Sequence, residues 1–218
     1  MILAIDAGNS RIKWGLRHGD GWLRQGAVAT AAPQALADEW KDLPAPALVI
    51  GSSVASDAAC AAIASAAPAA PRWITAAAVQ CGVRSSYDHP AQLGPDRWAA
   101  LIGAWRLHGA ACLVVNAGTA MTVDALTDDG VFLGGAIIPG EHLMRDALAR
   151  NTARLPFADG QVRYFPGNTA DAIMSGTVHA LAGAIERMAG FLRETGQPQP
   201  LVLLGGGSAA LLAPHIGG

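Results

Sequence analysis

A short polar turn with a central glycine occurs twice in this chain, each time directly after an apolar run. The first turn, at 6–10 (Asp-Ala-Gly-Asn-Ser), follows residues 2–5, and the second, at 116–120 (Asn-Ala-Gly-Thr-Ala), follows residues 112–115. Glycine lets backbone N–H groups approach an anion closely, and a hydroxyl or amide side chain adds donors at the same place. Two such turns facing each other would hold a polyphosphate between two lobes. The alternative is a pair of ordinary hairpin turns.

The elements around the two turns follow one plan in both halves of the chain. Alternating apolar and polar residues predict strands around each turn, and helices and further strands follow them. This pattern is typical of a duplicated α/β architecture, with halves at 1–110 and 111–218. Only residues 208–218 follow the glycine turn at 205–207, so we expect the C-terminal end to be truncated, with a terminal strand or helix missing. The three glycines permit close approach of a flat ligand such as adenine, or form a tight turn.

The composition indicates a folded protein and excludes several functional classes. Of the 218 residues, 51% are hydrophobic and 15% are charged, which allows a sizeable core. A net charge of −2 without a basic block argues against nucleic acid as a partner. The three cysteines and six histidines show no ligand spacing, so we expect neither a disulfide framework nor a zinc site. The sequence shows no signal peptide and no membrane-spanning run, so we expect a cytoplasmic protein without a membrane partner.

The first turn carries the residue types of a magnesium–phosphate site. Asp6, at the end of its strand, could hold Mg²⁺, usually through water, because magnesium loses water reluctantly. Gly8, Asn9 and Ser10 would face phosphate oxygens, and Lys13 would add a positive charge. The alternative is a hairpin turn selected for its turn-forming residues, with Lys13 on a solvated strand face.

A second concentration of reactive side chains lies at 87–98, between the two turns. Gly94 and Pro95 predict a helix start, with Asp96 and Arg97 in or near its first turn. Asp96 could act as a general base for a substrate hydroxyl, and Arg97 could bind a substrate carboxylate. The alternative is a capping Asp96 with Arg97 as its salt-bridge partner.

Three threonines are further candidates for ligand contacts. Thr119 and Thr122 could contact phosphate, although Thr122 and Asp124 could equally form the exposed face of a strand. The stretch 167–171 predicts a helix start capped by Asn168 or Thr169, and an exposed threonine at such a start could also hydrogen-bond a ligand.

Taken together, these motifs resemble those of type III pantothenate kinases, from residue 1 to about residue 207. The Gly-x-Asp-Arg element that begins seven residues after Tyr87 is the most specific of them. The motifs that carry the resemblance are 6–13, Tyr87, 94–98, 116–120, 134–140 and 168–173.

The resemblance implies the acetate and sugar kinase/Hsp70/actin fold, with two ribonuclease H-like halves, and a homodimer. It also implies transfer of the γ-phosphoryl group of ATP to the hydroxyl of pantothenate, the first step of coenzyme A biosynthesis. The phosphates of ATP and Mg²⁺ would be bound by Asp6, Ala7, Gly8, Asn9, Ser10, Arg11, Ile12 and Lys13, with Thr119 as a further ATP contact. Asp96 would accept the proton, and pantothenate would be held by Tyr87, Gly94, Pro95, Asp96, Arg97 and Thr169.

One position departs from the family pattern. The family commonly has aspartate at the head of the second turn, where it helps to bind a monovalent cation such as K⁺ or NH₄⁺. Here the residue is Asn116, which keeps a carbonyl ligand but lacks the negative charge, so a requirement for this cation is left open.

Two other functions are compatible with such a sequence. One is a kinase for another small hydroxyl compound, and the other is a nucleotide-binding accessory or regulatory protein. Phosphoryl transfer needs mainly alignment and charge neutralisation, which Asp6, Asp96 and Arg97 can supply. Because these residues are present and no basic stripe is visible, we expect the pantothenate kinase.

Overall fold

The structure is a computed structural model of the chain, and it describes residues 1–155 and 157–217. Residues 1–77 and 89–99 form one compact unit, and residues 78–88 together with the described residues from 100 onward form another. We call these the first unit and the second unit. The division of the chain into halves at residue 110 stays a prediction.

The first unit contains one mixed sheet and two short helices. Its strands are β1 (Ile2–Ala7), β2 (Arg11–His18), β3 (Gly21–Ala29), β4 (Leu48–Ser53) and β5 (Arg72–Trp73). They lie in the order β3-β2-β1-β4-β5. The strands β1, β2 and β3 are antiparallel neighbours, whereas β4 runs parallel to β1 and β5 parallel to β4. The helices are α1 (Leu36–Trp40) and α2 (Asp57–Ala66).

The alternation of residue types explains how β2 lies on the core. Ile12, Trp14 and Leu16 are buried, while Lys13 between them is exposed. The buried residues pack with apolar side chains of β1, β4, α1 and α2 into one core. Trp14 and Trp40 meet edge to face, with ring centroids 6.2 Å apart. Each large side chain buried in this way contributes about 1.5–3 kcal/mol to the stability of the fold. The core therefore stabilises the hairpin formed by β1 and β2.

The second unit contains a six-stranded sheet. Its strands are β6 (Val79–Gln80), β7 (Val83–Ser85), β8 (Cys112–Ala117), β9 (Ala120–Leu126), β10 (Val131–Pro139) and β11 (Leu201–Gly205), and they lie in the order β11-β8-β9-β10-β7-β6. The helices α4 (Glu141–Asn151), α5 (Thr169–Glu194) and α6 (Ala209–Leu212) belong to this unit. Helix α3 (Pro95–His108) begins directly after Gly94.

The second sheet repeats the strand plan of the first. β8, β9 and β10 form an antiparallel meander, and β11 runs parallel to β8, just as β4 runs parallel to β1. The two glycine turns join β1 to β2 and β8 to β9, so they occupy equivalent places. The predicted duplicated α/β architecture is confirmed. Both turns are hairpin connections, and a hairpin turn can also bind phosphate, so the two interpretations of the turns do not exclude each other.

Helix α5 covers one face of the second sheet. Its buried residues Val178, Leu181 and Ile185 pack on the apolar side chains of β8 and β9. The helix begins as predicted, because the Asn168 side chain accepts a hydrogen bond from the N–H of Asp171 at 2.9 Å. None of the described helices has the length and apolar character needed to cross a membrane.

Two short strands were not expected from the sequence. β6 and β7 pair with each other, and β7 also runs parallel to the start of β10, where Arg84 lies opposite Val131 and Ser85 opposite Phe132. Strands of two and three residues are too short to show a period of two. The position of β7 depends on hydrogen bonds to residues more than 40 positions away, which local sequence does not indicate, and β6 pairs with β7.

Candidate active site

The first turn is held by hydrogen bonds from two directions. Gly8 N donates to Arg11 O at 3.0 Å and closes the hairpin between β1 and β2. At the end of β3, the Thr30 hydroxyl donates to Gly8 O at 2.8 Å, and Thr30 N donates to Ser10 O at 3.1 Å. The side chain of Asn9 is exposed at the tip. The backbone of this turn is therefore fixed, while its tip is open to a ligand.

Strand register places two polar residues beside Asp6. Lys13 on β2 and Ser52 on β4 are its partners on the two neighbouring strands. Ser52 Oγ donates to Asp6 Oδ1 at 3.2 Å, and Lys13 Nζ lies 4.0 Å from Asp6 Oδ2. The Asp6 side chain is 48% exposed, so the ion pair adds little stability and the carboxylate stays accessible. Nothing local in the sequence points to Ser52, because its contact with Asp6 comes from the pairing of β1 with β4.

Asp96 lies in the first turn of α3, as predicted. The helix starts at Pro95, and Trp98 N donates to Gly94 O at 3.0 Å. The Asp96 carboxylate folds back over Gly94, since a Cβ atom built on that glycine would lie 2.6 Å from Asp96 Oδ1. Asp96 is partly exposed, whereas Arg97 is only 7% exposed. A carboxylate that Arg97 binds would therefore have to reach a largely enclosed guanidinium group.

Tyr87 lies in the second unit, just after β7. Its ring packs against Phe132 with centroids 5.3 Å apart and an interplanar angle of 37°. Tyr87 N donates to Ser85 Oγ at 3.3 Å. The unexpected pairing of β7 with β10 is therefore what gives this tyrosine its place.

The second turn closes the hairpin between β8 and β9. Gly118 N donates to Ala120 O at 3.1 Å. Asn116 and Thr119 are both exposed, so their side chains are accessible to a ligand.

Two further glycine segments of the sequence pack directly against this turn. Gly140 N donates to Thr119 O at 2.9 Å, and a Cβ at Gly140 would overlap the carbonyl oxygens of Gly118 and Thr119. Gly206 has a φ of +96°, and a Cβ there would lie 2.5 Å from Ala117 O. The predicted motifs at 134–140 and 205–207 thus come together with the second turn, and only glycine permits this close approach.

Thr169 lies at the start of α5. It lines an open cavity of about 1010 Å³ between α4 and α5. The lining is mainly apolar, with Met144, Leu148 and Ile173 among its side chains, and Thr169 is one of its few polar groups. Such a cavity can accept a small molecule that has both an apolar and a polar part.

Two charged residues near this cavity were not identified from the sequence. Arg145 of α4 is 6% exposed, contacts Glu141, and donates to Ala158 O at 2.7 Å and Asp159 Oδ1 at 2.9 Å. Asp171 of α5 is 8% exposed. The signal that could have found them is their type, because a charged residue on the buried face of an amphipathic helix needs a partner.

Asp171 and Cys112 are among the side chains of the second unit that have clearly shifted pKa values. The hydrogen bond from the backbone N–H of Gln161, with those from Arg163 and Asn168, holds the pKa of Asp171 below its usual value, although burial acts in the opposite direction. Burial raises the pKa of the Cys112 thiol to about 11. Among the described residues, no group of three or more histidine, cysteine, aspartate or glutamate side chains could hold a metal ion.

The comparison with known proteins identifies the family. The sequence model of type III pantothenate kinase matches residues 2–190. A type III pantothenate kinase of Aromatoleum aromaticum is 55% identical to this chain, with 100% of this chain and 90% of that protein covered. The chain belongs to the type III pantothenate kinase family. The enzyme of the same name from Nitrosospira multiformis is 49% identical over 99% of this chain and 84% of its own length.

Solved structures support the fold without adding to the assignment. A protein from Sinorhizobium meliloti titled "putative 2-dehydro-3-deoxygalactonokinase" has a TM-score of 0.62 at 19% identity, covering 98% of this chain and 89% of its own. A protein from Campylobacter jejuni titled "conserved putative Baf family transcriptional activator" has a TM-score of 0.61 at 19% identity, covering 98% and 87%. Proteins of different named function thus share this fold, so the family match carries the functional information.

The family match confirms the main predictions made from the sequence. The kinase class and the use of ATP follow from membership of the type III pantothenate kinase family, and the α/β fold is that of the acetate and sugar kinase/Hsp70/actin superfamily. The roles of individual residues stay predictions. Of these residues, Asp6 to Lys13 and Gly94 to Arg97 lie in the first unit, and Tyr87, Asn116, Thr119 and Thr169 lie in the second.

Proposed function

We propose that this chain transfers the γ-phosphoryl group of ATP to the hydroxyl of pantothenate, giving 4′-phosphopantothenate in the first step of coenzyme A biosynthesis. The observation that carries this proposal is the match to the type III pantothenate kinase family over residues 2–190, with 55% identity to one such enzyme over the whole chain.

Asp6 to Lys13 would bind the phosphates of ATP, with Thr119 as a further contact. The turn supports this role because its tip is exposed, while the bond from Gly8 N to Arg11 O and the bonds that Thr30 donates keep its backbone fixed. Mg²⁺ fits here, since it often takes a single carboxylate together with water and phosphate oxygens, and Asp6 offers an accessible carboxylate. The ion would neutralise phosphate charge, and Lys13 would add to that neutralisation.

Asp96 would accept the proton of the attacking hydroxyl group. Its position in the first turn of α3 supports this role, because Asp96 is partly exposed and its carboxylate lies against Gly94, which has no side chain to block it. A positioned general base contributes about 10²–10⁴-fold to a rate. The transferred proton would leave a neutral Asp96 carboxyl group and a phosphate ester.

Pantothenate would be held by Tyr87, Gly94 to Arg97 and Thr169. Arg97 would bind its carboxylate, because the planar guanidinium group matches two carboxylate oxygens. Tyr87 would offer a ring already packed on Phe132, and Thr169 a hydroxyl at the edge of the cavity beside α5. Groups fixed in advance lose little entropy on binding, which supports alignment of the substrate.

Asn116 stands at the position of the proposed monovalent-cation site. The amide oxygen is a suitable ligand for K⁺, but the side chain brings no negative charge. We propose that K⁺ or NH₄⁺ stimulates this enzyme weakly. In the substitution Asn116→Asp, the added charge should increase stimulation by K⁺, which a KCl titration at constant ionic strength would measure. Equal stimulation of both proteins would remove Asn116 from the cation site.

The family resemblance also leads us to propose a cytoplasmic homodimer. Light scattering after size-exclusion chromatography would report a mass twice the 22.2 kDa of the chain. A single peak at the monomer mass, at the concentration used for the assay, would contradict the dimer.

The decisive experiment incubates the protein with ATP, Mg²⁺ and pantothenate and detects 4′-phosphopantothenate by mass spectrometry. The variant Asp96→Asn should retain the melting temperature of the wild type and lose about 10²–10⁴-fold in kcat. Unchanged kcat in that variant would remove Asp96 from its proposed role without affecting the assignment of the substrate.

The two other functions are possible outcomes of the same experiment. A panel of small hydroxyl compounds offered with ATP would reveal a kinase with a different acceptor. ATP binding without turnover on any of them would indicate an accessory or regulatory protein, and the proposed function would then be wrong.

A further inference from the structure

The start of α5 is organised around one buried carboxylate. Asp171 Oδ1 accepts from Gln161 N at 2.8 Å, and Asp171 Oδ2 accepts from Arg163 Nε and from Asn168 Nδ2, both at 3.0 Å. In return, Asn168 Oδ1 accepts from Asp171 N at 2.9 Å. Asn168 and Asp171 thus hold each other by two hydrogen bonds, and Thr169 lies between them in sequence. The side chain of Asp171 is 12% exposed.

The same carboxylate connects the preceding segment, residues 160–163, to this helix start. Residues 160–163 run along the first turns of α5, where Arg163 N donates to Ser175 Oγ at 2.9 Å, one helical turn beyond Asp171. Gly160 packs so closely that a Cβ there would lie 2.8 Å from Asp171 N and nearer still to the carbonyl group of Ala170. The backbone on both sides of Thr169 is therefore immobilised.

An ordinary helix start does not need this arrangement. The Asn168 side chain already accepts a hydrogen bond from a free backbone N–H group of the first turn. A solvent-exposed carboxylate there would already interact favourably with the helix dipole. Burying the carboxylate is costly unless it is fully hydrogen-bonded. The structure meets this cost with three donors, two of them from residues 161 and 163. The gain is a fixed position for Thr169 at the edge of the cavity.

We infer that Asp171 is a positioning residue for the acceptor substrate: its hydrogen bonds to Gln161, Arg163 and Asn168 fix the N-terminus of α5 so that Thr169 can bind pantothenate. The inference rests on the proposed function, because Thr169 is a substrate contact only if pantothenate is the substrate. Asp171 does not touch the substrate and acts through Thr169.

The test compares Asp171→Asn with the wild type in steady-state kinetics at a temperature well below both melting points. The amide has one acceptor oxygen and two N–H donors, so it cannot accept the three hydrogen bonds that the carboxylate accepts. The KM for pantothenate should rise about tenfold, because a tenfold change corresponds to the free energy of about one lost hydrogen bond. The KM for ATP should stay within about twofold. A merely structural role would lower the fraction of folded enzyme and leave the KM for pantothenate unchanged, which would overturn the inference.

A double-mutant cycle with Thr169→Val separates action through Thr169 from a direct effect. If Asp171 acts through this hydroxyl, then Asp171→Asn should add less than about twofold to the KM for pantothenate in the Thr169→Val background. A full tenfold addition would contradict the inference.

The matched control is Asp129→Asn, since Asp129 also accepts a hydrogen bond from an arginine of the same unit, Arg84, and a second bond from the Thr127 hydroxyl. We expect no change in its KM for pantothenate. An equal rise in the control would count against a specific role of Asp171.

Two outcomes are treated separately: an Asp171→Asn variant that does not fold, and a wild type that does not phosphorylate pantothenate. Should Asp171→Asn fail to fold, Arg163→Met removes one donor from a side chain that is 55% exposed, and a KM for pantothenate that does not rise at least about twofold in that variant would overturn the inference. Should the wild type not phosphorylate pantothenate at all, the proposed function fails and the inference fails with it. If the wild type phosphorylates pantothenate and Asp171→Asn has an unchanged KM for pantothenate, then the proposed function holds and only the inference is wrong.

Discussion

The contact between Gly94 and Asp96 allows a sharp test of the proposed general base. In Gly94→Ala the added Cβ would lie 2.6 Å from Asp96 Oδ1, whereas an ordinary contact starts at 3.4 Å, so the oxygen has to move by about 0.8 Å. The other close atoms, Asp96 Cγ at 3.8 Å and Val54 Cγ1 at 3.9 Å, leave room for the methyl group. Gly94 does not have a left-handed φ, so the backbone accepts alanine.

The size of the effect follows from this displacement. Moving a catalytic group by about 1 Å costs roughly 10²-fold in rate. We therefore expect kcat to fall about 10²-fold in Gly94→Ala. The melting temperature should change little, because the atom that has to move is the end of a short, partly exposed side chain. The KM for ATP should stay unchanged, since the substitution lies away from the first turn in sequence and adds no charge.

The assay measures ADP release and 4′-phosphopantothenate in parallel, together with a thermal melt of each variant. The matched control is Gly103→Ala, the same substitution in α3, where a Cβ would meet no atom within 4 Å. This control should keep kcat and gain about 0.5–1 kcal/mol of stability, because alanine is the better helix former.

Combining Gly94→Ala with Asp96→Asn should cost little more than Asp96→Asn alone, because both changes act on the same carboxylate. Wild-type kcat in Gly94→Ala, or full additivity of the two substitutions, would refute the reasoning.

Three further predictions concern charge and thiol chemistry. Asp6→Asn should raise the apparent KM for Mg·ATP without changing that for pantothenate, as a titration of each substrate would show. Hydrogen bonds hold the pKa values of Asp171 and Asp129 below their unfolded values, so these carboxylates stabilise the fold above the unfolded pKa, and this contribution is lost as the pH falls through the folded pKa. The melting temperature should therefore fall more steeply with decreasing pH below about pH 5 in the wild type than in Asp171→Asn. An equal fall in both proteins would contradict this. Cys112 is buried and its pKa is raised to about 11, so iodoacetamide at pH 8 should label the exposed Cys81 first, as peptide mass spectrometry would detect.

Local sequence was sufficient for most elements of the fold. The alternation around Ile12, Trp14 and Leu16 predicted β2, and the Asn168 cap predicted the start of α5. Both signals are local, because side chains alternate along a strand and a cap acts within three residues of its helix. The two glycine turns were visible for the same reason, as turn chemistry resides in a few consecutive residues.

Contacts between distant segments required the tertiary structure. Three such contacts join residues far apart in the chain: the pairing of β7 with β10, the bond from Ser52 to Asp6, and the approach of Gly206 to the second turn. No period or spacing encodes such contacts, because they depend on which strands become neighbours in a sheet.

The sequence by itself determined the family of this protein and its duplicated α/β plan, and it supplied the candidate residues for the kinase chemistry. These are properties of residue types at short spacing, which evolution keeps recognisable. Only the tertiary structure decided what surrounds them: the carboxylate of Asp96 over Gly94, and the buried Asp171 that fixes Thr169 through residues 161 and 163. The physical reason is that a side chain's environment is set by hydrogen bonds and packing between segments that the folded chain brings together.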